Sequence, residues 1–462
     1  MPPADRSHGW FVAALVAGAL IRAAALPLPG THDTVAWKIW SYNSATEGAA
    51  RLYGVGGSPL EHRVIRYLNA ETTVNYPPLA LYELGWAGRA YRWFNHGRFP
   101  NTTPLFVAIK APAAIADAAF AVMLFLVVRR GAGDNAARWA TIAYWLNPGV
   151  VLNGVVLGYL DPLYMLPLAG SLVAATCGWF LTGGALAAAA VLTKPQAIVA
   201  LPALLIVLPA VKTRPTRMGK TAGVDREFRP RGALGTALGL VAGALVTTAI
   251  IVAPVVAAGG GPNMVQALGR LASHDMLSGN ACNLWWIVGY LVRVQYTVQD
   301  YGLWGAIAQP AKILQISRFV DVGYPNPRPI GAVLVAVAVI WAVWTCRHGR
   351  DLWLVAALGA FTTHAYATLS AQVHENHLYA AVPLLVLAAA GRPALRPLLY
   401  AVTVIFALNL NLFYGLGEDV GYAVPRGITI VDATVVLAIV NCAALVWHAS
   451  LLRREAGRPA AL

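Results

Sequence analysis

The chain has 462 residues, of which 58% are hydrophobic and only 12% charged, and its formal net charge is +14. An ordinary soluble domain carries about twice that share of charge. The composition therefore excludes a soluble enzyme, a disordered chain and a fibrous repeat, and points to a polytopic α-helical membrane protein. The excess of 34 Lys+Arg over 20 Asp+Glu reads first as basic cytoplasmic loops, not as a nucleic-acid surface. Cys177, Cys282, Cys346 and Cys442 lie far apart and imply neither a disulfide framework nor a zinc site.

Trp10–Leu28 lacks a polar A-x-A cleavage region and is predicted to be a retained first span, with Arg6 holding the N-terminus inside. Residues 29–103 follow as a long, mostly polar external loop. From Asp33 onward, Val35, Ile39 and Tyr42 share one helical face, with Ala36 and Trp40 beside them. That pattern predicts a helix lying flat at the interface, Trp on its apolar side. Asp33 then sits at the helix N-terminus, where a carboxylate is favoured by the dipole. It, or Thr31, reads either as an N-cap or as a catalytic group. Asn75-Tyr76-Pro77-Pro78 launches a second interfacial helix to about Trp93, and Asn101-Thr102-Thr103 fits an N-glycosylation pattern.

Further apolar runs begin near Pro104, Arg138, Leu160, Gly183, Ala233, Ile330, Leu352, Leu378, Leu398 and Ile428. Basic clusters at Arg129-Arg130, in the loop 212–232, at Arg347/Arg350, at Arg392/Arg396 and at Arg453-Arg454/Arg458 should all be cytoplasmic, so an even number of crossings separates each from the next. The loop 212–232 reads as a linker attracted to anionic lipid. Between Arg130 and Lys212 there are only three apolar runs. The run Gly183–Val211 must therefore be broken, and Leu192-Thr193-Lys194-Pro195-Gln196 is where proline breaks it. A broken backbone at membrane depth lines a wet cavity or is buried. Lys194 is accordingly placed at an outward cavity, against the alternative of a lysine snorkelling to the interface. Residues 258–329 are external overall, with Leu284–Tyr290 re-entrant or interfacial. The total is about twelve crossings.

Three polar groups remain. Lys110 lies two turns before Asp117 in the second span, as a structural ion pair or a substrate contact. Asn153–Pro162, with Tyr159 and Asp161, forms an outer turn. Gln372-Val373-His374-Glu375-Asn376-His377 ends a late span on the outside. His374 and His377 are three apart, one short of the His-Glu-x-x-His spacing, and a metal would need a third ligand such as Glu375 or Asp161. Binding of an anionic phosphate or of sugar hydroxyls is the favoured reading, and no metal is expected.

In chain order these pieces resemble the GT-C class of integral-membrane glycosyltransferases. They are most similar to the dolichyl-phosphate-glucose-dependent glucosyltransferases of the asparagine-linked glycan pathway and their bacterial relatives. The resemblance rests on Asp33 with Trp37 and Trp40; on Tyr76–Leu79; on Lys110 with Ile115–Asp117; on Gly158–Asp161; on Lys194–Gln196; on Asn280–Trp285; and on His374–Asn376. Tyr159 stands where relatives carry Gln, and Asn376 where they carry Lys. The external loops hold no Asp-x-Asp, which separates the chain from the metal-dependent, oligosaccharyltransferase-like branch.

The resemblance implies an all-α protein of about twelve spans with a large first external loop. It implies inverting transfer of a hexose, glucosyl or mannosyl, from a polyprenyl-phosphate sugar to a glycan or lipid-linked acceptor, on the external face of the cell membrane and with no cofactor. Asp33 would be the base. Lys194, His374 and His377 would stabilise the leaving phosphate, supported by Asn376. Gln196, Glu375, Tyr159, Asp161, Tyr76, Lys110 and Asp117 would complete the substrate site. The expected partners are the donor lipid, the acceptor and membrane lipid, not nucleic acid. The rival reading is a transporter or flippase of lipid-linked sugars, a class that often shows internal repeats; no repeat is present here.

Overall fold

A computed structural model describes residues 6–54, 63–208, 232–271, 273–417, 426–427 and 430–458. The basic stretch 212–231 and the start of the last apolar run at Ile428 lie outside the described residues. The described residues are dominated by helix, with two small two-stranded sheets among them. Among the described residues six helices are long and apolar enough to cross a membrane: Thr103–Ala132, Ala233–Ala257, Pro327–Cys346, Leu352–Leu369, Pro393–Tyr414 and Ala433–Ala456. Some of the other apolar runs fold into shorter helices. Asp134–Trp145 has 12 residues and Ala381–Gly391 has 11. At about 1.5 Å per residue, 11 residues rise only about half the hydrocarbon thickness. These helices end early because Asn147-Pro148 and Arg392-Pro393 follow them.

The contacts divide the chain into two compact units. The first contains α1 (Arg6–Ala25), α2 (Asp33–Asn43), the hairpin β1–β2 (Ile65–Tyr67, Ala70–Thr72), α3 (Pro78–Phe94), α4 (Thr103–Ala132) and α5 (Asp134–Trp145). It continues with α6 (Pro148–Val151), α7 (Asp161–Thr176), α8 (Phe180–Thr193), α9 (Ala233–Ala257) and α10 (Gly261–Leu271). Arg22 of α1 binds the unit together in its apolar interior. Its Nε donates to Asp117 Oδ2 of α4 at 2.6 Å, one Nη donates to the Trp145 carbonyl at 2.6 Å, and the guanidinium lies 3.6 Å from the Trp145 ring. The Tyr144 hydroxyl donates to the other Asp117 oxygen. The ion pair expected between Lys110 and Asp117 is thus made by Arg22 instead.

Helices α8 and α9 approach by backbone contact. A Cβ on Gly184 would lie 1.8 Å from the Leu240 carbonyl oxygen, and one on Gly243 would lie 1.9 Å from that of Leu181. Small residues permit such approach where lipid supplies no hydrophobic drive between helices. Replacing Gly243 by Val should cost about 1–3 kcal/mol through overpacking, read as an earlier unfolding midpoint in detergent. An unchanged midpoint would show that the two helices part freely.

The first loop has a core of its own. Trp37 and Trp40 are 3% and 1% exposed and pack edge-on with each other and against the Tyr76 ring. The expectation that Trp40 lies on the membrane-facing side does not hold. The hairpin and α3 cover the apolar face of α2, so burial against protein replaces burial in lipid.

The second unit contains α11 (Leu284–Ala308), α12 (Ile316–Asp321), α13 (Pro327–Cys346), α14 (Leu352–Leu369), α15 (Ala381–Gly391), α16 (Arg396–Tyr414) and α17 (Ala433–Ala456). Arg392 joins Asp351 at 2.8 Å and Glu455 at 3.3 Å. The arginine-rich ends at residues 350, 392 and 453 therefore share one end of this unit. The segment 370–380 connects α14 to α15 at the other end. Leu284–Tyr290 opens the 25-residue helix α11, which is kinked at Gly302.

Candidate active site

Two constellations carry the polar residues singled out above, one in each unit. In the first unit, Asp33 is the first residue of α2, exposed at the helix N-terminus, and the N-cap position is taken by His32. The helix is docked on the turn before α7. The Thr31 amide donates to the Leu157 carbonyl at 3.0 Å, and Trp37 Nε1 donates to the Gly158 carbonyl at 3.1 Å. Gly158 has φ +79°, and a Cβ there would meet Thr34 at 2.9 Å and Lys110 at 3.1 Å. Glycine is what lets these three elements meet.

Lys110 locks the same turn. Its ammonium donates to the carbonyls of Leu28 (2.7 Å), Val155 (2.9 Å) and Val156 (3.1 Å). A lysine has three donors, and all three are used on backbone. Tyr159 is buried beside it, its amide bonded to the Asn153 carbonyl at 3.0 Å.

Two residues on, Asp161 opens α7. One carboxylate oxygen accepts from Lys194 at 2.5 Å, and the other accepts from Asn153 Nδ2 at 3.0 Å. Both members of the ion pair are 1% exposed. Lys194 lies in extended conformation between α8 and a 3-10 segment, Pro195–Val207, where Gln196 follows the proline. The lysine therefore faces Asp161, not an open outward cavity, because a buried ammonium requires a counter-charge. Tyr76 contributes its ring to the tryptophan cluster and its carbonyl to the Tyr53 hydroxyl.

Glu83 on α3 was not among the residues the sequence singled out. Thr193, next to Lys194, donates to its Oε1 at 3.4 Å, while Oε2 is buried without a hydrogen-bond partner among the described residues. Burial pushes its carboxyl up to about 8, with the Thr193 bond opposing. In an amphipathic helix a lone Glu reads as solvated face; only packing against α8 changes that. Because the folded value is raised, its stabilising protonated state is complete below the unfolded value and is lost as pH rises toward 8. Glu83→Gln should raise the unfolding midpoint by roughly 2–4 °C at pH 8.5 and leave it unchanged at pH 4. Equal shifts at both pH values would show that the carboxyl does not titrate in this range.

In the second unit, β3 (Ser278–Gly279) pairs in parallel with β4 (Val373–His374). Asn283 caps α11 and donates to the Ala367 and Ser370 carbonyls, and Trp285 Nε1 donates to the Leu369 carbonyl at 2.8 Å. The Asn280–Trp285 and His374–Asn376 motifs are thus held together. A cavity of about 10 Å³, roughly one water, lies among Cys282, His374, Glu375, Asn409 and Asn441. Glu375, Asn376 and His377 are buried, and His377 stacks on Tyr366. The half-exposed His374 meets His274, ring nitrogens 3.3 Å apart. His274 also lay outside the sequence reading, 100 positions away. Its backbone is fixed by Gln372 and Arg328, which donate to its carbonyl. Burial holds its imidazole below the ordinary histidine range, which favours the neutral form. Among the described residues no group of three or more His, Cys, Asp or Glu is arranged to hold a metal.

The apolar helices define the chain as an α-helical integral-membrane protein. Among solved structures it is similar to the oligosaccharyltransferase of Archaeoglobus fulgidus, determined with an acceptor peptide containing the NVT sequon tethered by a disulfide bond. The identity is 14% and the TM-score 0.37, over 97% of this chain and 55% of that one. The chain thus spans little more than half the length of that archaeal protein. No protein-family model matches it, and no curated protein does.

Proposed function

We propose that the protein is a GT-C-type membrane glycosyltransferase, moving a hexose from a polyprenyl-phosphate sugar to a glycan or lipid-linked acceptor at the membrane face opposite the basic loops. The observation that carries this reading is the docking of the Asp33-bearing helix on the Gly158–Asp161 turn, whose Asp161 is paired with Lys194 at a helix break. An exposed carboxylate is held on a rigid helix end, and the turn under it is fixed by Lys110, Asn153 and Lys194.

In this mechanism Asp33 takes the acceptor hydroxyl proton as the oxygen attacks the anomeric carbon. The sugar–phosphate bond breaks, and the polyprenyl phosphate leaves with the bonding pair. His374 and His377 donate hydrogen bonds to that phosphate as its charge grows. Lys194, turned onto Asp161, positions the turn under Asp33. Lys110 has no proton left for a ligand, and Asp117 is engaged by Arg22 and Tyr144, so both serve the scaffold. Gln196, Tyr76, Glu375 and Asn376 line or support the substrate groups.

The test is incubation of purified, reconstituted protein with a panel of radiolabelled polyprenyl-phosphate sugars and membrane-lipid acceptors. Label appearing in a new glycan product is the expected result. Label that crosses the bilayer with the donor intact would replace the enzyme with a flippase.

A further inference from the structure

Helix α3 lies along the outer ends of the spans, and its outward face has no function assigned to it. Near its start, the Tyr82 hydroxyl donates to the Ile251 carbonyl at 3.1 Å, close to the end of α9 remote from the basic stretch. Near its other end, the Tyr91 hydroxyl donates to the Pro100 carbonyl at 2.7 Å, three residues before α4, whose far end carries Arg129-Arg130. Both anchors belong to the ends opposite the arginines, so α3 bridges two spans in the plane of the interface.

Its buried face is Leu81, Leu84, Ala87, Gly88 and Tyr91. Its outward face presents Trp86, Trp93 and Phe94, which are 62%, 73% and 71% exposed. Aromatic side chains at that depth mark the headgroup zone. Between them, Arg89, Arg92, Trp93, His96, Gly97 and Ala45 line an open cleft of about 590 Å³. No acidic residue occurs between Glu83 and Asp117. Among the described residues neither arginine of the cleft has a carboxylate partner; Arg92 Nε donates to the Gly97 carbonyl, and Glu47, two residues from Ala45, contacts Arg63. Two guanidiniums with free forks beside exposed tryptophan suit a phosphodiester at the membrane surface.

We propose that this cleft binds the headgroup phosphate of an anionic glycerophospholipid, in the leaflet opposite the basic loops. Arg89 and Arg92 grip the phosphate, and Trp93 and Phe94 enter the acyl boundary beside it. The site would tether the first loop to the bilayer independently of any sugar chemistry.

The test uses the full chain in nanodiscs of phosphatidylcholine doped with equal mole fractions of brominated phosphatidylglycerol or brominated phosphatidylcholine. The Trp93 signal is the fluorescence difference between wild type and Trp93→Phe. It should be quenched about fivefold more by the anionic lipid. Arg89→Gln/Arg92→Gln, or high salt, should bring the ratio close to one, while Arg453→Gln/Arg454→Gln should leave it unchanged. Equal quenching in the wild type overturns the proposal, as does a preference that survives both arginine replacements. Recovery of Trp93 fluorescence on adding a trace of polyprenyl phosphate would also overturn it, by assigning the cleft to the donor lipid.

Discussion

Asp33→Asn should lower turnover by roughly 10²- to 10⁴-fold, the usual contribution of a positioned base, with little change in the apparent affinity for donor. The substitution is well suited to separating chemistry from folding. Asp33 is exposed at the first position of α2. Asn keeps the shape and a polar side chain, and the charge–dipole interaction it gives up is worth about 0.3–1 kcal/mol. The helix remains fixed by Trp37 and Thr31, neither of which is altered. Single-turnover measurements with the preferred donor, alongside unfolding midpoints, check this. An Asp33→Asn variant that folds normally and still transfers sugar at wild-type rate would remove Asp33 from the mechanism, and Glu83 would be the next carboxylate to test.

The second large effect concerns the buried pair. Lys194→Met or Asp161→Asn alone should destabilise the protein by about 3–5 kcal/mol, because each leaves an uncompensated partner in an apolar interior. The two changes together should recover much of that loss, since the desolvation penalty of both ions disappears with them. The double variant should nevertheless transfer sugar poorly, because the turn under Asp33 loses its anchor. Chemical or thermal unfolding of the four proteins in one detergent measures the coupling. If each single variant is as stable as wild type, the pair does not organise this turn.

The helical, membrane-embedded character of the chain was legible from composition alone, and so was the interruption at Lys194-Pro195. Proline and its preceding residue act locally, and the counting of arginine clusters is a one-dimensional argument. The amphipathic start of α2 at Asp33 was also legible, since a 3.6-residue period needs no partner to be recognised. What that face packs against was not. Trp40 read as lying on a face turned to the membrane, and it is a core residue, as is Trp37, because α3 and a hairpin fold back over them. An apolar stripe has the same pattern whether lipid or protein covers it.

The lengths of two of the helices were hard to read for a related reason. An apolar run of 11 or 12 residues lengthens on paper when its neighbours are also apolar, but Asn-Pro and Arg-Pro steps end the helix in three dimensions. Hydropathy records the medium a residue tolerates, not the conformation of its backbone.

By itself, then, the sequence determined the medium in which this protein folds, the helical periodicity of its segments, the position of the break at Lys194-Pro195 and the motifs that place Asp33, Lys194 and His374 among its chemically suggestive residues. The tertiary structure alone decided the partnerships. Arg22, not Lys110, neutralises Asp117 from 95 positions away; Lys194 turns onto Asp161 instead of toward solvent; Glu83 is closed in beside Thr193; and His274 meets His374 across 100 positions. Each depends on where helices cross. In a low-dielectric interior every charge must find a counterpart, and only the packing fixes which of the few available ones lies within reach.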